Sequence, residues 1–375
     1  MSAAAKKPIM ERVGVRYFAS RSSKLRVVTS GGDALHVLNA EERKALKRVE
    51  YGAIFRAGLA GAASGGACAA VEVYANGAWA DDPVRYWGAM IAATIVTAVL
   101  EIAYIYWETL RSVHELARVA GLELFGADRE SSDQALVDSL ARAALELPNP
   151  IDVGVRVNPH REVKKWRLVI ASLAYKAKVG VTNFVMKLLI RRVLSRAALR
   201  GALPFVALPV TAAWNAIVMW MVLREARIRA MGPTAVDELV TYVFDDAPKL
   251  SDAGRLSALR AVAAAIVRTQ DLHPNLVRLL QSVGARTGDV GPDELDDVGL
   301  FLSNLKSLDA AELKLSLQVL AVACVVDGKL TAREKKLWGD AKAAAGQSMN
   351  WDALERLRKA FVAGDGIADD VLRAM

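Results

Sequence analysis

Apolar positions recur along this chain at the three- and four-residue spacing of helices, and the alternation that marks strands is scarce. The longest apolar run is Trp87 to Trp107, WGAMIAATIVTAVLEIAYIYW, interrupted by Glu101. At ~1.5 Å per residue it reaches ~30 Å, the thickness of a bilayer's hydrocarbon core. Tyr86, Trp87, Tyr104, Tyr106 and Trp107 gather at its ends, as interfacial aromatics do. The segment before it, 52–75, carries Ala53, Ala57, Gly61, Gly65 and Ala69 at four-residue spacing. Such a stripe lets a second helix approach closely in lipid. Asn, Gly, Asp and Pro between Asn76 and Pro83 predict a turn. Residues 51–107 are therefore expected to form a transmembrane helical hairpin.

The rest of the chain is also patterned for helices, which makes the expected fold class all-α. Residues 108–160 read as a helical connector. Leu110, Val113, Ala117, Ala120 and Leu124 share one face, and a second helix from Ser132 ends before Pro148-Asn149-Pro150. Residues 161–232 form a basic, apolar region. Trp166 to Arg200 has apolar residues all round, with Lys176, Lys178 and Lys187 on no common stripe. Residues 201–223 are apolar enough for a bilayer, but arginines flank both ends and Pro204 and Pro209 would kink a helix. A re-entrant hairpin, a third crossing and a buried helix all remain open there. From 233 to 375 the pattern is that of a helical domain. Leu259, Val262, Ala265, Leu272 and Leu279 align with Leu317, Leu320, Ala323, Leu330 and Leu337, which suggests a diverged duplication of a helix–turn–helix unit.

Charge gives the membrane reading a direction. The chain is 53% hydrophobic and carries a net charge of +8. Residues 160–230 hold fourteen Lys/Arg against two acids, whereas 231–375 hold seventeen against twenty-one. A basic middle beside apolar segments suits anionic headgroups of a lipid bilayer. No basic helix with interleaved aromatics or finger spacing points to nucleic acid. Residues 1–50 read as a basic cytoplasmic tail, with eleven Lys/Arg against five acids, and the connector of the hairpin is acidic. The expected location is a bacterial inner membrane, with the N-terminus and the C-terminal domain in the cytoplasm.

The hairpin contains charges that need partners. In an antiparallel pair, residues at equal depth share one index sum, and Arg56 with Glu101 and Glu72 with Arg85 share the same one. Pairing is expected because lone intramembrane charges are costly; an ion path along the two acids is the alternative.

Two stretches resemble known families. The sequence Leu203-Pro204-Phe205-Val206, then small residues and Asn215, then a basic stretch, resembles EcsC-type membrane-associated proteins. It departs from them at Ala207-Leu208, where they carry Gly-Ala, and it implies membrane association. Ala321-Val322-Ala323-Cys324-Val325-Val326-Asp327-Gly328-Lys329-Leu330-Thr331-Ala332-Arg333-Glu334 resembles TerB-like domains of tellurite-resistance and membrane-anchored co-chaperone proteins. That resemblance covers about 45 residues and implies a helical module linked to envelope or metal stress that binds a cation or a partner. On the residues themselves, Gly328 suits a helix end and Thr331 with Glu334 suits a capping box. Asp327 and Glu334 as ligands of a divalent cation are the alternative, although calcium wants six to eight oxygens. The acidic run Asp289, Asp293, Glu294, Asp296 and Asp297 reads as a solvated linker and helix start, with a cation or basic partner as the alternative.

Cys68 and Cys324 lie in apolar helical contexts and read as core residues, and the four histidines form no ligand pair at helical spacing. No nucleophile triad, phosphate loop or dinucleotide fingerprint is present, so the chain is expected not to be an enzyme and to need no cofactor. The first expectation is a membrane-anchored scaffold or sensor that recruits a cytoplasmic protein partner, with self-association into a homo-oligomer left open. A channel or transporter component, and a soluble helical protein that binds lipid reversibly, are the alternatives.

Overall fold

The computed structural model describes residues 8–22, 38–79, 81–120, 131–150, 156–163, 203–245, 249–288 and 294–365. Among the described residues every regular element is a helix, as the apolar spacing predicts. In chain order these are α1 (Ile9–Ser22), α2 (Ala40–Ala78), α3 (Pro83–Val119), α4 (Ser131–Ala144), α5 (Leu203–Asp245), α6 (Asp252–Thr269), α7 (Pro274–Thr287), α8 (Val298–Asn304), α9 (Ala310–Ala323), α10 (Ala332–Ala344) and α11 (Trp351–Ala363). A 3-10 turn, Leu305–Ser307, links α8 to α9. The region 164–202, with its three lysines, lies outside the described residues.

Packing divides the chain into two units. The first comprises residues 1–44, 117–162 and 225–375, and the second 45–116 and 163–224. The expected boundary between 232 and 233 falls inside α5, which runs through it without a break.

In the second unit, α2 and α3 are both long and apolar enough to cross a membrane. Helix α2 continues through Asn76, Gly77 and Ala78, so the turn is confined to about one helical turn's length around Trp79–Asp82. The two helices are antiparallel. Arg56 Nη2 lies 2.6 Å from Glu108 Oε1, and Cys68 Sγ lies 3.1 Å from Thr97 Oγ1. The small-residue stripe of α2 is buried, with Ala53, Ala57, Gly61, Gly65 and Ala69 all covered. Gly61 of this stripe, with Gly58 and Gly66 near it, faces α5. A Cβ placed on Gly61 would meet the Thr211 carbonyl oxygen at 2.5 Å, one on Gly58 the Ala212 oxygen at 3.4 Å, and one on Gly66 the Leu208 side chain at 3.6 Å. As α2 is followed backwards from Gly66 to Gly58, the facing residue of α5 advances. Helices α2 and α5 are thus antiparallel, and α3 and α5 run in the same direction. Pro204 falls in the first turn of α5, where no intrahelical amide bond is due, and the helix continues past Pro209.

In the first unit, α6 is the central element and packs against α7, α8, α9 and α10. Every residue from Ser257 to Val267 is buried, and five of these are alanines, which let four neighbours approach on all sides. Helix α9 is buried in the same way over Leu315–Ala323. In the aligned segments Leu259, Val262, Ala265, Leu272 and Leu279 are buried, as are Leu317, Leu320, Ala323 and Leu337. Helix starts are capped where the sequence offers a short polar side chain. Ser251, Asp297, Asp309, Thr331 and Asn350 each accept a bond from an amide in the following first turn. Helix α1 packs on α4, with Phe18 fully buried and Glu11 Oε2 2.6 Å from Arg142 Nη2.

Candidate functional site

Buried charge in the first unit collects around the turn between α9 and α10. Gly328 ends this turn with φ of +73°. A Cβ there would lie 2.3 Å from Ile228 Cδ1, so both backbone conformation and space demand glycine. Asp327 Oδ1 accepts from the Lys329 amide at 2.8 Å and braces the turn. Thr331 caps α10 in a reciprocal box. Glu334 N donates to Thr331 Oγ1 at 3.2 Å, and Thr331 N donates to Glu334 Oε2 at 2.7 Å. Each of these carboxylates therefore has one oxygen committed to backbone. Glu334 is completely buried, and its Oε1 has no hydrogen-bond partner in the structure. Burial, and then the nearby Asp327 carboxylate, push the Glu334 carboxyl up to about 8. Burial likewise raises Asp327, although the Lys329 amide and nearby positive charge act against it. The Cys324 thiol, three residues before Asp327 and fully buried, is raised well above its ordinary value by burial and then by Glu334 and Asp327.

A second carboxylate stands beside this turn with the opposite balance. Glu225 Oε1 accepts from Arg229 Nε at 3.1 Å, from Arg229 Nη2 at 3.0 Å and from His273 Nε2 at 3.2 Å, while Lys329 Nζ lies 3.5 Å from Oε2. Burial works to raise Glu225, but the His273 hydrogen bond and the charges of Arg229 and Lys329 hold it far below the carboxylate range. His273 is locked as one tautomer. Its Nδ1 accepts from the Asn275 amide at 3.2 Å, which leaves Nε2 as the donor to Glu225. Asn275, with no exposed surface, donates from Nδ2 to the Ile228 and Val326 carbonyls at 3.1 and 2.7 Å. It ties α5, α7 and the α9–α10 turn together. Sequence reading missed Glu225, His273 and Asn275, because residues nearly fifty positions apart leave no local spacing to detect.

As a cation site, Asp327 and Glu334 make a short donor set, because one oxygen of each already serves the backbone. Among the described residues no group of three or more His, Cys, Asp or Glu is placed to hold a metal ion. The acidic run has an internal basic partner. Arg161 bonds Asp296, donates to Glu294 Oε2 at 2.6 Å and reaches Asp297 Oδ2 at 3.3 Å, while Asp297 also caps α8. Asp289 and Asp293 lie outside the described residues.

The polar groups of the second unit form a seam between its helices, and its pairing corrects the expected register. Arg56 is held by Glu108, with Nε at 2.8 Å and Nη2 at 2.6 Å from Oε1, rather than by Glu101. Arg85 sits beside Asp82 at 3.2 Å, with Glu72 half-buried on α2. Helix α2 continues through Asn76-Gly77-Ala78, and the facing positions lie about two helical turns from the expected register. Arg56 with Glu108 and Cys68 with Thr97 agree on this new register. Glu101, 4% exposed, instead accepts from Asn215 Nδ2 of α5 at 2.9 Å. Thr211, one turn earlier on α5, donates to the Gly61 carbonyl at 2.9 Å. Glu108→Ala is expected to cut the yield of monodisperse, detergent-extracted protein several-fold, because it leaves Arg56 uncompensated. Arg56→Ala should recover part of that yield in the Glu108→Ala background and none in the Glu101→Ala background; rescue of Glu101→Ala alone would restore the register expected from sequence.

Comparison with protein-family models, with curated proteins and with solved structures gives no match to this chain.

Proposed function

We propose that this is a non-enzymatic, membrane-anchored scaffold or sensor. In this reading the second unit sits in a bacterial inner membrane, and the first unit offers a helical surface to a protein partner in the cytoplasm. The observation that carries it is an inverted polarity. In the second unit Glu101, Glu108, Ser112, Thr211 and Asn215 are buried, whereas Phe55, Leu59, Trp87, Ile91, Ile95 and Val99 are exposed. Water as solvent would penalise both halves of that arrangement, and hydrocarbon favours both. The first unit has ordinary polarity, with an apolar core around α6. The run of α5 against α2 from Gly66 to Gly58 supports a place for the start of α5 in the same apolar layer as α2 and α3. The basic N-terminal region supports the cytoplasmic orientation. The TerB-like resemblance around Asp327 supports a role in envelope or metal stress.

The deciding experiment is extraction of membranes from expressing cells. The chain should stay in the pellet through alkaline carbonate and high salt and should leave it with mild detergent. Release by carbonate alone, or a monodisperse chain in plain buffer, would overturn the anchor and favour the soluble lipid-binding protein. The buried Glu101–Asn215 contact favours a second reading, passage of an ion along the seam, because ionisable groups inside membranes often serve transport. Ion flux into liposomes holding the purified chain, abolished by Glu101→Gln, would support it; no flux would remove it.

A further inference from the structure

Helix α1 has two faces of different character. Glu11, Gly14 and Phe18 recur at helical spacing, are buried, and fix the helix to α4. On the remaining surface Ile9, Met10 and Val13 are 70%, 40% and 49% exposed. Beside them Arg12 and Arg16 are exposed as well, and the exposed Arg21 lies about two turns further on, over the Tyr17 ring. The one acid of the helix, Glu11, is turned inward and neutralised by Arg142 at 2.6 Å. The charge that α1 presents outward is thus entirely positive, and it borders apolar side chains that the described residues of the first unit leave exposed. That pairing of apolar insertion with cationic flanks is the chemistry of a helix lying in an anionic headgroup layer. A soluble protein partner would more usually meet a surface of mixed charge.

We propose that α1 is a peripheral anchor. Ile9, Met10 and Val13 enter the headgroup region of an anionic leaflet, and Arg12, Arg16 and Arg21 pair with lipid phosphates. This rests on the membrane reading above and deepens it by naming a second lipid contact and its headgroup charge.

The test uses the full chain carrying Val13→Cys labelled with an environment-sensitive dye, with the chain lacking that substitution as the labelling blank, since Cys68 and Cys324 are buried. The labelled protein is placed in nanodiscs of phosphatidylcholine alone and of phosphatidylcholine with phosphatidylglycerol. We expect a blue shift and loss of most iodide quenching in the anionic discs and neither in the zwitterionic ones. Charge reversal by Arg12→Glu, Arg16→Glu and Arg21→Glu should abolish both effects without altering the far-ultraviolet melting curve. An unshifted dye in anionic discs overturns the proposal. So does an equal shift in zwitterionic discs and in detergent, which would mean that protein, such as a second copy of the chain, covers this face. A chain that enters neither disc and stays soluble defeats the transmembrane reading instead. It is then mixed with phosphatidylglycerol vesicles, where the same shift supports the role of α1 and its absence overturns it.

Discussion

Glu334→Gln is expected to stabilise the chain at pH 8 and to flatten most of a loss of stability that the native protein suffers between pH ~5 and ~8. An unfolded chain ionises Glu334 near its ordinary 4.5, whereas the folded protein keeps the proton up to about 8. Across that interval the folded state binds the extra proton, so each rise in pH weakens the fold, and the loss is complete once the folded carboxyl has ionised. The full span is on the order of a few kcal/mol for a group this buried. Asp327, also raised by burial, acts in the same direction. Glutamine keeps an oxygen for the Thr331 amide, so the capping box survives while the ionisation is removed. Glu225, held low, weakens the fold only under stronger acid, outside this window. Thermal unfolding of the detergent-solubilised chain at pH 5, 6.5 and 8 reads the effect. Parallel slopes for Glu334→Gln and the native chain would mean that Glu334 is ionised in the folded state.

The Glu334 effect shows which features a sequence exposes and which it hides. The capping box was legible because its parts lie three residues apart, and the helical register fixes how they meet. The raised carboxyl was not, because it depends on α10 turning Glu334 into a core that includes Asp327 and Cys324. The same holds in the second unit. The apolar lengths of α2 and α3 and the buried small-residue stripe follow from local pattern. Pairing across the hairpin depends on where the turn falls, and Asn76-Gly77 reads as turn chemistry although α2 continues through it. An error of a few residues at the turn moved the partner of Arg56 from Glu101 to Glu108. The links of greatest range, Asn215 to Glu101 and His273 to Glu225, join residues 114 and 48 positions apart and have no signature in a single sequence.

Three glycines on α2 should respond to alanine in three different ways. At Gly61 the added Cβ would stand 2.5 Å from the Thr211 carbonyl oxygen and 2.8 Å from both the Thr211 carbonyl carbon and Asn215 Nδ2. Two of those atoms are backbone, so α5 as a whole must move away from α2. That movement would also stretch the Thr211 bond to the Gly61 carbonyl and the Asn215 bond to Glu101. Overpacking of this kind costs about 1–3 kcal/mol before the lost hydrogen bonds are added, so Gly61→Ala should sharply lower both folded yield and melting temperature. At Gly66 the nearest atom is the flexible end of Leu208 at 3.6 Å, an ordinary contact, and alanine should be close to neutral. At Gly77 nothing lies within 4 Å. There alanine should stabilise the helix by up to about 1 kcal/mol, because glycine is the weaker helix former. The ordering Gly77→Ala, Gly66→Ala, Gly61→Ala, from most to least stable, distinguishes close backbone packing of α5 on α2 from a stripe that merely faces lipid. A Gly61→Ala chain as stable as Gly77→Ala would separate the two helices, and with them would go the polar seam that places Asn215 against Glu101.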